Sequence, residues 1–165
     1  MREPTEFAWR VHATQETWTT KADTKASILL AFEGGLGIVA TSTADDIRIP
    51  LLPIGWHRWL DIGGVALLVL AVLVTCVAMV PSLGTASQHL READDNMVYF
   101  GHLRLWRPEL LVDQLDRLTP AEETAMLARQ MVILSRLNWR KYRCLQLSAG
   151  LAMLAVITLA FGALS

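Results

Sequence analysis

Cysteine, catalytic signatures and an excess of one charge are what this chain has least of. Its 165 residues include two cysteines, Cys76 and Cys144. Each lies in or beside an apolar run with no partner at metal-ligand spacing. That excludes a disulfide framework or a zinc site and leaves two buried free thiols as the reading. The formal net charge of −1 gives no electrostatic footing for a nucleic-acid polymer. No GxSxG, HExxH, CxxC or phosphate-cradling glycine loop occurs, so catalysis, a metal centre and a resident cofactor are not expected. The first 20 residues are polar and of mixed charge, without the apolar stretch of a cleaved signal peptide. Internal repeats and low-complexity tracts are missing as well.

Apolar residues are abundant. They make up 53% of the chain, above the roughly 45–50% usual for soluble domains. Residues 60–80, LDIGGVALLVLAVLVTCVAMV, are long enough at about 1.5 Å per residue to cross a hydrocarbon core of about 30 Å. Residues 145–164, LQLSAGLAMLAVITLAFGAL, carry no formal charge and form a second span. Residues 26–42 form a third, weaker one, because Glu33 in its middle costs about 2–3 kcal/mol on insertion scales. A buried helix of a soluble protein is the rival reading for this segment. Its amphipathic entry and the two firm spans elsewhere favour the membrane.

Basic residues set the direction. Arg2, Arg10, Lys21 and Lys25 precede the first span, and only Arg48 and Arg58 separate the first from the second. Nine, from Arg91 to Arg143, separate the second from the third. The positive-inside rule then places the N-terminus and residues 81–144 in the cytoplasm, with the loop of Asp45 and Asp46 and the C-terminus outside. Trp56 and Trp59 suit the outer interface, Trp139 and Tyr142 the inner one.

The cytoplasmic parts read as helix. Phe7, Val11, Trp18, Ala22, Ala26 and Leu29 recur at helical spacing, and no proline interrupts a helix from about residue 5 to 41. Thr119-Pro120-Ala121-Glu122 fits a capping box with proline at the first helical position. From there a helix runs through residues 121–165, with Leu127, Met131, Leu134, Asn138, Tyr142 and Leu145 on one face. PELLVDQLDRL after Arg107 predicts a short amphipathic helix. MVYFGHLRLW permits a strand or a helix, and SLGTASQHLREADDN a loop or a short helix. These pieces are expected to extend the membrane helices within a single domain, not to form a separate one.

Glu33 is the sharpest candidate residue. A carboxylate does not face lipid, so it is protonated, paired or turned to water. A ring of such groups in an oligomer would line an aqueous path and favour cations; a protonated Glu33 bonded to a neighbouring helix is the other reading. Asp23, between Lys21 and Lys25, suits a polar network with the last helix, while the lysines suit lipid headgroups. Gly34-Gly35-Leu36-Gly37 suits close helix packing. Asp94-Asp95 reads as a solvated pair, and His102 after Gly101 as a turn or packing point. Arg136, Arg140, Lys141 and Arg143 form a basic cluster. It serves as a membrane anchor or, through Arg136, Arg140 and Arg143, as a phosphate-binding set.

Three blocks in order resemble the Pycsar transmembrane effector family. They are Ala22-Asp23-Thr24-Lys25-Ala26 running into an apolar helix; Tyr99-Phe100-Gly101-His102 after the second span; and Ala128-Arg129-Gln130 with Leu134-Ser135 and Lys141-Tyr142 before the last. The resemblance covers about residues 10–164 and marks Asp23, Lys25, Gly101, His102, Gln130, Lys141 and Tyr142 as family-motif positions. It implies an antiphage effector of the bacterial inner membrane. Such an effector damages that membrane and arrests the cell when a paired cyclase makes a cyclic pyrimidine mononucleotide, cCMP or cUMP. Family members carry a polar residue near position 33, more often asparagine. No cyclic-nucleotide-binding β-roll is visible, so sensing would fall to the helical cytoplasmic part.

The reading is an all-α protein with three transmembrane helices and cytoplasmic helical extensions, N-terminus inside. Its expected partners are membrane lipid, further copies of itself and a cyclic nucleotide. The alternative is a non-toxic membrane scaffold, such as an accessory subunit of plasmid transfer or secretion.

Overall fold

The computed structural model describes residues 4–44, 56–80 and 97–164. Among these residues five helices follow in order: α1 Pro4–Ala44, α2 Trp56–Met79, α3 Phe100–Leu103, α4 Pro108–Arg117 and α5 Pro120–Leu164. No strand occurs among the described residues. Asp45, Asp46, Arg48, Arg91 and the Asp94–Asp95 pair lie outside them, as do the side chains of Trp56 and Phe100.

Local chemistry sets the helix ends. Pro4, Pro108 and Pro120 each open a helix, where the missing N–H would have had no partner. Arg107 before Pro108 is extended, with φ −84° and ψ 137°, as a residue preceding proline must be. At the start of α5 the Thr119 N–H donates to Glu122 Oε2 (2.9 Å) and the Glu122 N–H to Thr119 Oγ1 (3.3 Å). That reciprocal pair is the expected capping box. MVYFGHLRLW is neither strand nor long helix. It bends over residues 97–99, makes the single turn of α3, and closes with tight bonds from the Leu105 N–H to His102 O and the Trp106 N–H to Leu103 O. Gly101 and Pro108 leave no room for a longer element.

The chain divides into two compact units. The first comprises Met1–Thr20 and Pro81–Asn138, the second Lys21–Val80 and Trp139–Ser165. Of the residues read as cytoplasmic, 21–25 and 139–144 fall in the second unit and the rest in the first.

In the second unit three helices bury a seam that alternates in steps of four and three. On α2 it is Gly64, Leu68, Ala71, Thr75 and Ala78; on α5, Leu145, Ser148, Ala152 and Ala155; on α1, Ala22, Ala26 and Glu33. A 3.5-residue repeat is the mark of coiled-coil packing. Most of these side chains are small, which lets the backbones approach closely. α1 and α5 run parallel, since Asp23 meets Lys141 and Glu33 meets Ser148. α2 is antiparallel to both: Thr75 meets Glu33 and Ser148, while Gly64 lies against Leu159. The outward faces are large and apolar, among them Ile28, Phe32, Val69, Leu73, Met153 and Phe161. Small and polar inside with bulky and apolar outside reverses the soluble pattern and suits a hydrocarbon solvent. α1, α2 and α5 are each long and apolar enough to cross a membrane. Cys76 is exposed and Cys144 half-buried, which corrects the reading of both as buried thiols: on α2, Cys76 follows Thr75, and the seam takes Thr75.

In the first unit α1 and α5 again pack in parallel, through Thr5 with Thr124 (2.9 Å) and Thr19 with Asn138 (2.8 Å). Ala8 and His12 are buried on α1, and Met126, Leu127, Gln130 and Asn138 on α5. Of the residues that recur at helical spacing on α1, Phe7 and Trp18 are exposed, while Ala22 and Ala26 are buried in the second unit.

Candidate functional site

Glu33 is fully buried inside the second unit, at 0% exposure. Ten residues of helix carry it about 15 Å along α1 from Asp23, half the thickness of a hydrocarbon core. Its Oε1 accepts from Thr75 Oγ1 (3.1 Å) and from Ser148 Oγ. The two hydroxyls are 2.7 Å apart, and Ser148 Oγ lies 2.9 Å from Ala71 O. Thr75 and Ser148 are also at 0% exposure. Glu33 Oε2 is buried with no hydrogen-bond partner. One residue from each of the three apolar helices therefore meets in a single polar cluster. No lysine or arginine occurs in residues 26–44, 59–80 or 144–164, so no cation on these spans can neutralise the carboxyl.

Several motif residues form a second group in the same unit. Lys141 Nζ donates to Asp23 Oδ1 at 2.5 Å, with side-chain exposures of 18% and 49%. Lys25 Nζ sits 5.3 Å from the centroid of the Tyr142 ring, within cation–π range. Ala22, Ala26, Ala78 and Leu145 pack beneath, with Tyr142 against them. The charges at the mouth of the first span are thus engaged with α5, Asp23 by a bond and Lys25 by an aromatic face. Arg140 and Arg143, on the same helix, are exposed.

In the first unit Gly101 and His102 are buried in the α3 turn, where His102 packs edge-on to Tyr99 at 5.2 Å. Gln130 is buried at 6% exposure and Arg136 is exposed. Asn138 Nδ2 donates to the Gln15 carbonyl, and Gln15 Oε1 is buried without a partner. Met97, Gln114, Leu118, Glu122, Met126 and Arg129 line a small open pocket. Glu122 has its carboxyl held below the ordinary glutamate value, first by the Thr119 backbone N–H and then by the Thr119 hydroxyl, against a smaller opposing effect of burial.

Tight glycine contacts between helices fall at positions the sequence did not single out, Gly64 and Gly162. A Cβ on Gly34, Gly35 or Gly37 would meet nothing within 4 Å, whereas one on Gly64 would lie 2.6 Å from Leu159 Cγ. Thr75 and Ser148 were also missed as partners of Glu33. Their signal is a polar side chain within an otherwise apolar run, in register with the 3.5-residue repeat.

No curated protein matches the chain, and no solved structure does. The family described as PycTM, Pycsar effector protein domain, matches residues 7–165. With three membrane-length helices around a buried carboxyl, and a match across nearly its whole length, the chain belongs to the Pycsar effector protein domain family, whose members are antiphage defence effectors.

Proposed function

We propose that this chain permeabilises the bacterial inner membrane when a cyclic pyrimidine mononucleotide, cCMP or cUMP, reaches its first unit from the cytoplasm. The carrying observation is the Glu33–Thr75–Ser148 cluster, an ionisable group at mid-span in a member of a membrane effector family. Buried carboxyls at such depth mark ion paths or switches by default. In the resting fold Glu33 is closed inside its own bundle. Repacking of the spans in an oligomer of copies, with Gly34, Gly35 and Gly37 open to a neighbouring α1, would turn Glu33 to a shared aqueous path that favours cations.

Ligand recognition belongs to the first unit in this reading. The pocket edged by Arg129 offers a cation for phosphate, the Gln114 amide for a pyrimidine edge, and Met97, Leu118 and Met126 as an apolar wall. The exposed Arg136, Arg140 and Arg143 are the second phosphate-binding candidate. α1 and α5 each contribute residues to both units, so a change in either helix is available to the cluster through the backbone. The nucleotide must bind the open arrangement better than the closed one; about 1–3 kcal/mol of coupling per subunit suffices in a cooperative oligomer.

The test is a potential-sensitive dye in cells expressing the chain, with and without a cyclase that makes cCMP or cUMP. Depolarisation is expected only with the nucleotide. It should be lost in Glu33→Gln, and in either Arg129→Ala or the Arg136→Ala, Arg140→Ala double variant, whichever site holds the phosphate. Leakage by Glu33→Gln equal to the wild type removes the pore assignment. Silence of the dye under every nucleotide favours a non-toxic scaffold.

A further inference from the structure

We propose that Glu33 carries a proton in the resting fold, and that this proton is the ligand that closes the three-helix cluster. The argument is a count of hydrogens. Four oxygen–oxygen contacts join Glu33 Oε1, Thr75 Oγ1, Ser148 Oγ and Ala71 O. The two hydroxyls own two hydrogens between them. If both point at an ionised Glu33, the 2.7 Å approach of Thr75 to Ser148 and the 2.9 Å approach of Ser148 to Ala71 O set lone pair against lone pair. A third hydrogen, on Glu33 Oε1, orders the set. Glu33 donates to Ser148, Thr75 donates to Ser148, and Ser148 donates to the Ala71 carbonyl, which leaves only the longer 3.1 Å approach of Thr75 to Glu33 without a hydrogen.

A second observation agrees independently. Glu33 Oε2 is buried without a partner. As the carbonyl oxygen of a neutral acid, an unpartnered Oε2 costs a modest desolvation; as half of a carboxylate it would leave buried charge with nothing opposite it. The groups facing Glu33 offer no counter-charge. α2 presents Thr75 and Ala71, and α5 presents Ser148. The neighbouring titratable groups on those helices are the thiols Cys76, exposed, and Cys144, half-buried.

Release follows from the same geometry. When the Glu33 O–H bond breaks, its electron pair stays on the carboxylate and the proton passes to water. The ion then has two hydroxyls but no counter-charge inside the bundle, and it is stabilised by reaching water, which separates α1 from α2 and α5. This consequence rests on the effector reading above, while the protonated resting state does not.

The experiment uses the full chain purified in detergent. Infrared spectra at neutral pH are expected to show the carbonyl stretch of a protonated carboxyl in the wild type and to lose it in Glu33→Gln. Thermal unfolding gives the second readout. A glutamine amide both donates and accepts, so Glu33→Gln should melt close to the wild type, while Glu33→Ala and Ser148→Ala should fall by several degrees. Absence of the Glu33-dependent band overturns the proposal, as does Glu33→Gln melting as early as Glu33→Ala. Neither readout needs nucleotide or phage. A chain with the band but no depolarisation fails the effector reading alone, and one that depolarises without the band fails this proposal alone.

Discussion

A glycine in this protein matters according to what faces it. Gly64 lies against Leu159 of α5, with an added Cβ only 2.6 Å from Leu159 Cγ and 3.3 Å from its backbone nitrogen. Gly64→Leu is expected to destabilise the chain by about 1–3 kcal/mol, the usual cost of overpacking a close contact, read as an earlier thermal midpoint in detergent. Gly35→Leu, with open space around it, should leave that midpoint in place; an equal loss in both variants would contradict the contact. The contrast shows what single residues tell in advance. Glu33 was legible because one carboxylate in an apolar run breaks the pattern. Thr75 and Ser148 were not, since a hydroxyl in a membrane helix can bond its own preceding turn and needs no distant partner. Thr158 does so with Leu154 O. Gly34, Gly35 and Gly37 attracted attention by clustering, but the cluster faces away from the chain's own helices.

Helices α1 and α5 were readable in extent, and the packing face of α1 only in part. Continuous helix followed from the absence of internal proline, and α5 buries or half-buries all six residues expected on its face, Leu127 to Leu145. On α1 the recurring residues include Phe7 and Trp18, which are exposed, and Ala22 and Ala26, which are buried together with Ala8, His12 and Glu33. Where two helices approach closely, small and hydrogen-bonding side chains occupy the contact and large ones are pushed aside. Size is therefore a poor guide to which face is inside. The start of α5 shows the opposite case, a local signal that local chemistry fully explains. Thr119→Ala removes the cap and is expected to cost about 1 kcal/mol, seen as lost helicity at the start of α5. The box also carries a pH dependence. The Thr119 N–H and hydroxyl hold the Glu122 carboxyl below its ordinary value, so its contribution is complete above the unfolded-state value. It is lost as pH falls through the lower, folded one. Acid titration of helicity should show that loss in the wild type and not in Glu122→Gln; identical titrations would sink the assignment.

For the whole molecule, two unrelated observations lead to an expected direction across the bilayer. Within the second unit α2 runs antiparallel to α1 and α5, so three consecutive spans would alternate and the two chain ends are expected on opposite sides. Geometry alone leaves the sense of that alternation open. Charge gives the expected sense: two arginines lie between the first and second spans, against nine basic residues between the second and third. Lys and Arg are retained on the cytoplasmic side, so the N-terminus and the 81–144 region are expected inside, within reach of a cytoplasmic nucleotide. A fluorescent protein fused at the N-terminus should then fluoresce, and alkaline phosphatase fused after Ser165 should be active, because that enzyme folds only outside the cytoplasm. The reverse pattern would put the Arg129 pocket and the Arg136, Arg140 and Arg143 set where no cytoplasmic signal reaches them. One reporter active and the other silent would put both ends on one side, and would contradict the parallel pairing of α1 and α5 itself and with it the cluster that Glu33, Thr75 and Ser148 form.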